Sequence, residues 1–105
     1  MKISSEINKL KEKYPDKIPI IVKKSKDSTL KNINKDKFLV PEYMTVTQFN
    51  YIIRKRLEIT PETALFILYN NSFVPSYKTM DEVYNEYRSD DGYLYAVYTN
   101  ENTFG

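Results

Sequence analysis

Few residues of this 105-residue chain are of a type that could do covalent or acid–base chemistry, and their absence is as informative as their presence. The chain has no cysteine and no histidine. Thiolate nucleophiles, thiolate metal sites and disulfides are therefore excluded. The usual general base near neutral pH and the commonest transition-metal ligand is missing as well. The most obvious carboxylate pair, Asp90-Asp91, precedes Gly92 and reads as a turn, not as an acid–base dyad. Gly92 and Gly105 are the only glycines, so phosphate-cradling glycine loops and dinucleotide fingerprints cannot be built. The sequence predicts no enzyme, no cofactor and no metal. What remains is binding chemistry: apolar ledges, strand edges and basic rims.

The richest such segment is Lys35 to Leu57, KDKFLVPEYMTVTQFNYIIRKRL. It reads as a strand over Lys37–Val40, a corner at Pro41 and a helix. In that helix Val46, Phe49, Ile53 and Leu57 have the spacing of a core stripe. Tyr51 and Ile52 lie off the stripe, and Ile52 forms a second apolar edge beside Phe49. The helix ends in Arg54-Lys55-Arg56. A strand edge, an apolar ledge and a basic rim together describe a surface that receives a partner. A helix buried on two sides has the same periodicity, and the pattern alone leaves both readings open.

The net charge of +2 does not imply nucleic acid. Arg54-Lys55-Arg56 and Lys23-Lys24 are the only basic runs that argue otherwise, and such runs are usually solvated faces. No apolar stretch approaches the roughly 20 residues that span a bilayer, and MKISSEINKL lacks the apolar core of a secretory signal. The expectation is a cytosolic or nuclear chain, unless something attaches it elsewhere, of one domain over residues 1–105: an N-terminal helix at 1–14, a core at 15–98 and a tail at 99–105.

In chain order, Ile3, Ile7, Leu10 and Tyr14 mark one face of a short helix that stops before Pro15. KIPIIVKK at Lys17–Lys24 is a strand apolar on both faces, and Pro19 suggests an edge, a strand start or an irregularity. Ser25–Asn34 is a polar loop pinned by Leu30 and Ile33. The following strand pairs back antiparallel. Thr45 and Gln48 form a capping-box pattern that starts the main helix near Val46. Ala64–Tyr69 reads as a buried strand, Asn70-Asn71 as a turn and Phe73-Val74 as a further short strand. A second capping box, Thr79 to Glu82, opens a helix with Met80, Val83, Tyr84 and Tyr87 inward, and Tyr93–Tyr98 is the last strand. The order gives an α+β fold: a four- to five-stranded mixed sheet, a main helix on one face and the short N-terminal helix on the other.

KYPDKIPIIV, FLVP, TVTQF, IIRKRL, ALFILYNN and TMDEVYNEY, followed by a terminal aromatic-Gly, resemble the autophagy ubiquitin-like modifiers. These are GABARAP and its light-chain relatives, the autophagy-related protein eight family. The resemblance runs from residue 6 to 105 without a gap and implies a ubiquitin-like β-grasp. It implies that Gly105, with Phe104 beside it, is the residue activated by a ubiquitin-type enzyme cascade and joined to phosphatidylethanolamine. Glycine suits that role, since it has no Cβ to obstruct a narrow active site. The implied partners are the activating and conjugating enzymes, a processing or delipidating cysteine protease, and the membrane reached through the lipid. The implied localisation is cytoplasmic, becoming membrane-associated after lipidation.

The resemblance also implies capture of receptors carrying an aromatic-x-x-aliphatic motif, added to the edge of the second strand. Positions matching the aromatic pocket are Glu6, Leu10, Pro19, Ile21, Lys35, Lys37, Leu39 and Tyr93. Those matching the aliphatic pocket are Phe38, Val40, Pro41, Met44, Phe49 and Ile52. Lys17 and Arg56, with Lys35 and Lys37, match contacts to an acidic flank. The chain departs from the family pattern in three places. The family's first helix has no counterpart, Asp36 stands at a commonly basic position, and Gly92-Tyr93 replaces two bulky aromatics, which predicts a roomier aromatic pocket. Two other functions fit the same residues: a peptide-binding adaptor that is not conjugated, and a modifier attached to a protein lysine. A nucleic-acid partner is not expected.

Overall fold

A computed structural model describes residues 4–101. Its elements follow in the order α1 (Ser5–Lys13), β1 (Lys17–Lys24), β2 (Lys37–Pro41), α2 (Val46–Leu57), β3 (Phe66–Tyr69), α3 (Met80–Tyr87) and β4 (Leu94–Thr99). The four strands form one mixed sheet in the order β2-β1-β4-β3. β1 runs antiparallel to β2 and parallel to β4, and β3 closes the far edge antiparallel to β4.

The helix starts are set by local chemistry. Thr45 and Thr79 each accept from the third helical backbone N–H, while Gln48 and Glu82 return a bond to the cap N–H. These reciprocal bonds satisfy donors that a helix start otherwise leaves unpaired. Ser4 caps α1 in the simpler way, accepting from Ile7 N–H at 3.1 Å. α2 ends where Glu58 turns left-handed at φ 56°. The two caps at Thr45 and Thr79 lie together as an isolated antiparallel bridge, joined by Val46 N–H to Lys78 C=O and Met80 N–H to Met44 C=O.

The core lies between the sheet and α2 with α3. Ile18, Ile20 and Val22 of β1, Phe38 and Val40 of β2, and Leu94, Ala96 and Tyr98 of β4 face Val46, Phe49, Ile53 and Leu57. Met80, Val83 and Tyr84 of α3 complete it. The opposite face carries α1, whose Ile7 is fully buried outside that cluster. The expected two-sided cover of the sheet is thus present, and Leu30 and Ile33 pack on the core as expected.

Several expectations need correction. β1 is an interior strand, not an edge. Val22 N–H bonds Asp36 C=O at 2.7 Å, so even-numbered residues of β1 bond β2 and odd ones face β4. Pro19 faces β4, where pairing begins only at Ile20 with Leu94, so its missing donor falls beyond the ladder. Phe73-Val74 adds no strand. Asn70 and Asn71, both left-handed at φ 50° and 64°, reverse the chain so tightly that only Tyr69 and Ser72 pair. The segment after them turns instead toward the start of α2, with Thr47 N–H on Ser76 C=O. Ala64 and Leu65 precede β3, Tyr93 precedes β4, and Tyr14 lies half in solvent at the end of α1. Ile3, Phe104 and Gly105 fall outside the described residues.

Candidate functional site

β2 is an edge strand, and among the described residues no other strand pairs with its outer side. The even residues Phe38 and Val40 are bonded inward to β1, so Lys37 and Leu39 direct their N–H and C=O groups outward. Among the described residues, no backbone bond outside the ladders engages those groups. Pro41 has no N–H, and its carbonyl accepts from Met44 N–H at 3.1 Å. The edge therefore offers two residues' worth of backbone, enough for a short extended peptide.

The side chains of β2 divide between two faces of the sheet, because successive residues point to opposite sides. On the α1 face stand Lys37 and Leu39, beside Pro19 and Ile21 of β1 and beneath Glu6 and Leu10 of α1. Pro19 is buried, and Ile21, Leu39 and Leu10 are half-buried. Glu6 joins β2 to the residue that precedes β4. Its Oε1 accepts from the Tyr93 hydroxyl and pairs with Lys37 Nζ at 3.2 Å. Lys37 Nζ also lies 6.0 Å from the Tyr93 ring centroid. The cleft expected to be roomy is thus bridged by a tyrosine hydroxyl. Tyr93 is 7% exposed and T-shaped on Tyr95 at 6.5 Å.

On the α2 face the floor is Phe38 and Phe49, edge-on at 5.5 Å. Phe49 is 0% exposed, and Phe38 and Val40 are buried in the core. Met44 and Ile52 are half-buried against that core, and Pro41 is half-buried at the corner. The part of this face that reaches solvent is therefore made by Met44, Ile52 and Pro41, with Phe49 buried. Lys35 leans to this face, not to the α1 cleft, with its ammonium 4.9 Å from the Phe38 ring, and Arg56 lies 5.7 Å from the same ring. Cations over an aromatic face are attracted to its quadrupole.

Lys35, Lys37 and Arg56 thus gather at the start of β2, on both sides of the edge. Lys17 does not join them. It pairs across from Pro41 at the other end and lines a separate cleft with Lys11, Glu42 and Tyr84. Arg54 is occupied elsewhere, donating to the carbonyls of Thr60 and Thr63 at 2.9 and 3.0 Å. Lys55 lies over Tyr51 at 5.8 Å. The basic run is spread around the helix and forms no continuous cationic stripe. Among the described residues, no group of three or more Asp or Glu could hold a metal ion, and no helix is long and apolar enough to cross a membrane.

Residues 2–105 match the family described as autophagy protein Atg8, ubiquitin-like. The chain belongs to the Atg8 family. It is 46% identical to Autophagy-related protein 8B of Oryza sativa subsp. indica over 101 residues, which is 96% of this chain and 85% of the rice protein. Identity to Autophagy-related protein 8e of Arabidopsis thaliana is 46% over 104 residues, 99% of this chain and 85% of that protein. Autophagy-related protein 8 of Schizosaccharomyces pombe is 45% identical over 104 residues, with 99% and 86% covered. The fold is accordingly ubiquitin-like, with α1 added to the face of the sheet opposite α2. Within this Atg8-family chain, two features of the groove have no sequence signal: the Tyr93–Glu6 bond and the turn of Lys35 toward Phe38. Both depend on side-chain direction across elements distant in sequence. The resemblance places Glu6 and Tyr93 at one pocket, but nothing in the linear pattern joins the hydroxyl to the carboxylate.

Proposed function

We propose that this Atg8-family protein is a ubiquitin-like modifier conjugated through Gly105 to phosphatidylethanolamine. On the membrane it recruits receptors that carry an aromatic-x-x-aliphatic motif. Family membership over residues 2–105 supports the conjugation. The observation that carries the recruitment is the unpaired edge at Lys37 and Leu39, set between two apolar clefts. An extended peptide adding to that edge sends alternate side chains to opposite faces. An aromatic residue then enters beside Leu10, Pro19 and Ile21, and an aliphatic residue reaches Met44 and Ile52. Acidic residues flanking the motif meet Lys35, Lys37 and Arg56, each salt-screened and modest. The protein acts as a substrate of enzymes and as a scaffold, and no step of catalysis is assigned to it.

The test is reconstitution. Incubation with the activating and conjugating enzymes, ATP and phosphatidylethanolamine liposomes yields a faster-migrating, liposome-bound product. Gly105→Ala abolishes it. A Gly105→Ala chain that still forms the product would sink this reading.

A further inference from the structure

The α1-side cleft is closed by a contact that the Proposed function does not use. Tyr93, just before β4, and Lys37, on β2, flank β1 on either side. Both reach the same carboxylate oxygen of Glu6 on α1. The three groups form a polar bridge across the apolar floor of Pro19, Ile21 and Leu39. A ring lodged on that floor between α1 and β1 competes with this bridge for the same space. Glu6 and Lys37 are about half exposed, with side-chain exposures of 54% and 59%, and water takes over their charges once they separate. Tyr93 is enclosed, and its hydroxyl loses a charged acceptor when Glu6 moves away. Hydrogen bonds to charged groups are the stronger class.

We propose that the Tyr93 hydroxyl is a latch on the aromatic pocket, holding Glu6 and α1 over it, and thereby sets which peptides bind. This deepens the groove reading and rests on it. A pocket open in only a fraction of molecules shows an affinity reduced by that fraction. A latch closed in about nine molecules of ten lowers affinity about tenfold. It admits anchors able to offset that loss and excludes weak ones. A large ring that fills the cleft and donates to Glu6, such as an indole, replaces the displaced hydroxyl. A phenyl anchor replaces nothing.

The experiment is calorimetric titration of the full chain with two synthetic peptides, Asp-Asp-Trp-Ser-Ser-Leu and its phenylalanine counterpart. Thermal melting of each variant confirms that it is folded. Tyr93→Phe, which keeps the ring and removes the hydroxyl, binds both peptides about five- to tenfold more tightly than the parent. In a Glu6→Ala background the same change brings no gain. Tyr95→Phe removes a hydroxyl bonded to Asp91 instead and leaves affinity unchanged. Equal or weaker binding by folded Tyr93→Phe overturns the latch while leaving the groove standing. So does a gain that persists without Glu6 or is matched by Tyr95→Phe. If neither the parent nor Tyr93→Phe binds either peptide, the groove reading falls and the latch with it.

Discussion

Ile52 and Phe49 sit on adjacent faces of one helix, yet burial assigns them different work. Phe49 is fully buried and stacks edge-on against Phe38. Truncating such a ring leaves a cavity, and Phe49→Ala should cost about 3–5 kcal/mol of stability. Ile52 is only half-buried, so Ile52→Ala removes contacts that solvent already shares and should cost about 1 kcal/mol. The expected outcome in denaturant unfolding is a large midpoint shift for Phe49→Ala and a small one for Ile52→Ala. Peptide titration should show the Ile52 variant losing about tenfold or more in affinity, since anchor contacts carry most of the binding energy. An Ile52→Ala chain that unfolds like Phe49→Ala would assign the whole helix to the core. At this scale the sequence showed which residues were apolar and on which stripe, because helical periodicity reports that directly. It could not show the Tyr93–Glu6 bond, which depends on how α1 crosses the sheet.

Elements with a chemical signal at their ends were legible, and elements without one were not. α2 starts at Val46, as the Thr45–Gln48 pattern requires, and α3 starts at Met80 after Thr79. Phe73-Val74 forms no strand, and the bridge at the tight Asn70-Asn71 reversal is the isolated one between Tyr69 and Ser72. The loop between β1 and β2 is the other element whose order comes from far away in sequence. Tyr98 Oη donates to Lys31 C=O at 2.7 Å and accepts from Ile33 N–H at 2.9 Å. At the loop's start, Thr29 N–H bonds Asn100 Oδ1 at 3.1 Å. This fastening carries Lys35 to its place beside Phe38. Tyr98→Phe strands the Ile33 donor and should cost about 1–2 kcal/mol. Amide hydrogen exchange should quicken at Ile33 and its neighbours while α2 stays protected. Uniform acceleration across the molecule would mean that the hydroxyl supports the whole core, not the loop.

For the molecule as a whole, α2 and α3 cover one face of the sheet and α1 the other, and among the described residues no further strand pairs with β2 on its outer edge. The α2 side includes Tyr69, fully buried with its hydroxyl on Asn50 Oδ1 at 2.7 Å. Burial pushes its phenol well above the ordinary tyrosine range. Tyr98 is raised in the same direction, again chiefly by burial. A folded-state pKa above the unfolded value contributes stability that is full below about pH 10, where unfolded phenols begin to ionise, and is lost above it. Stability should therefore be level near neutrality and fall as pH rises past about 10. Tyr69→Phe should flatten that fall, and unfolding midpoints followed across this range check it. Whether Gly105 carries a lipid, as proposed, is read by mass spectrometry of the C-terminal peptide from the cellular protein. The predicted result is phosphatidylethanolamine in amide linkage to the Gly105 carboxyl in the membrane fraction. A membrane fraction carrying only a free Gly105 carboxylate, or Gly105 joined to a protein lysine, would contradict it.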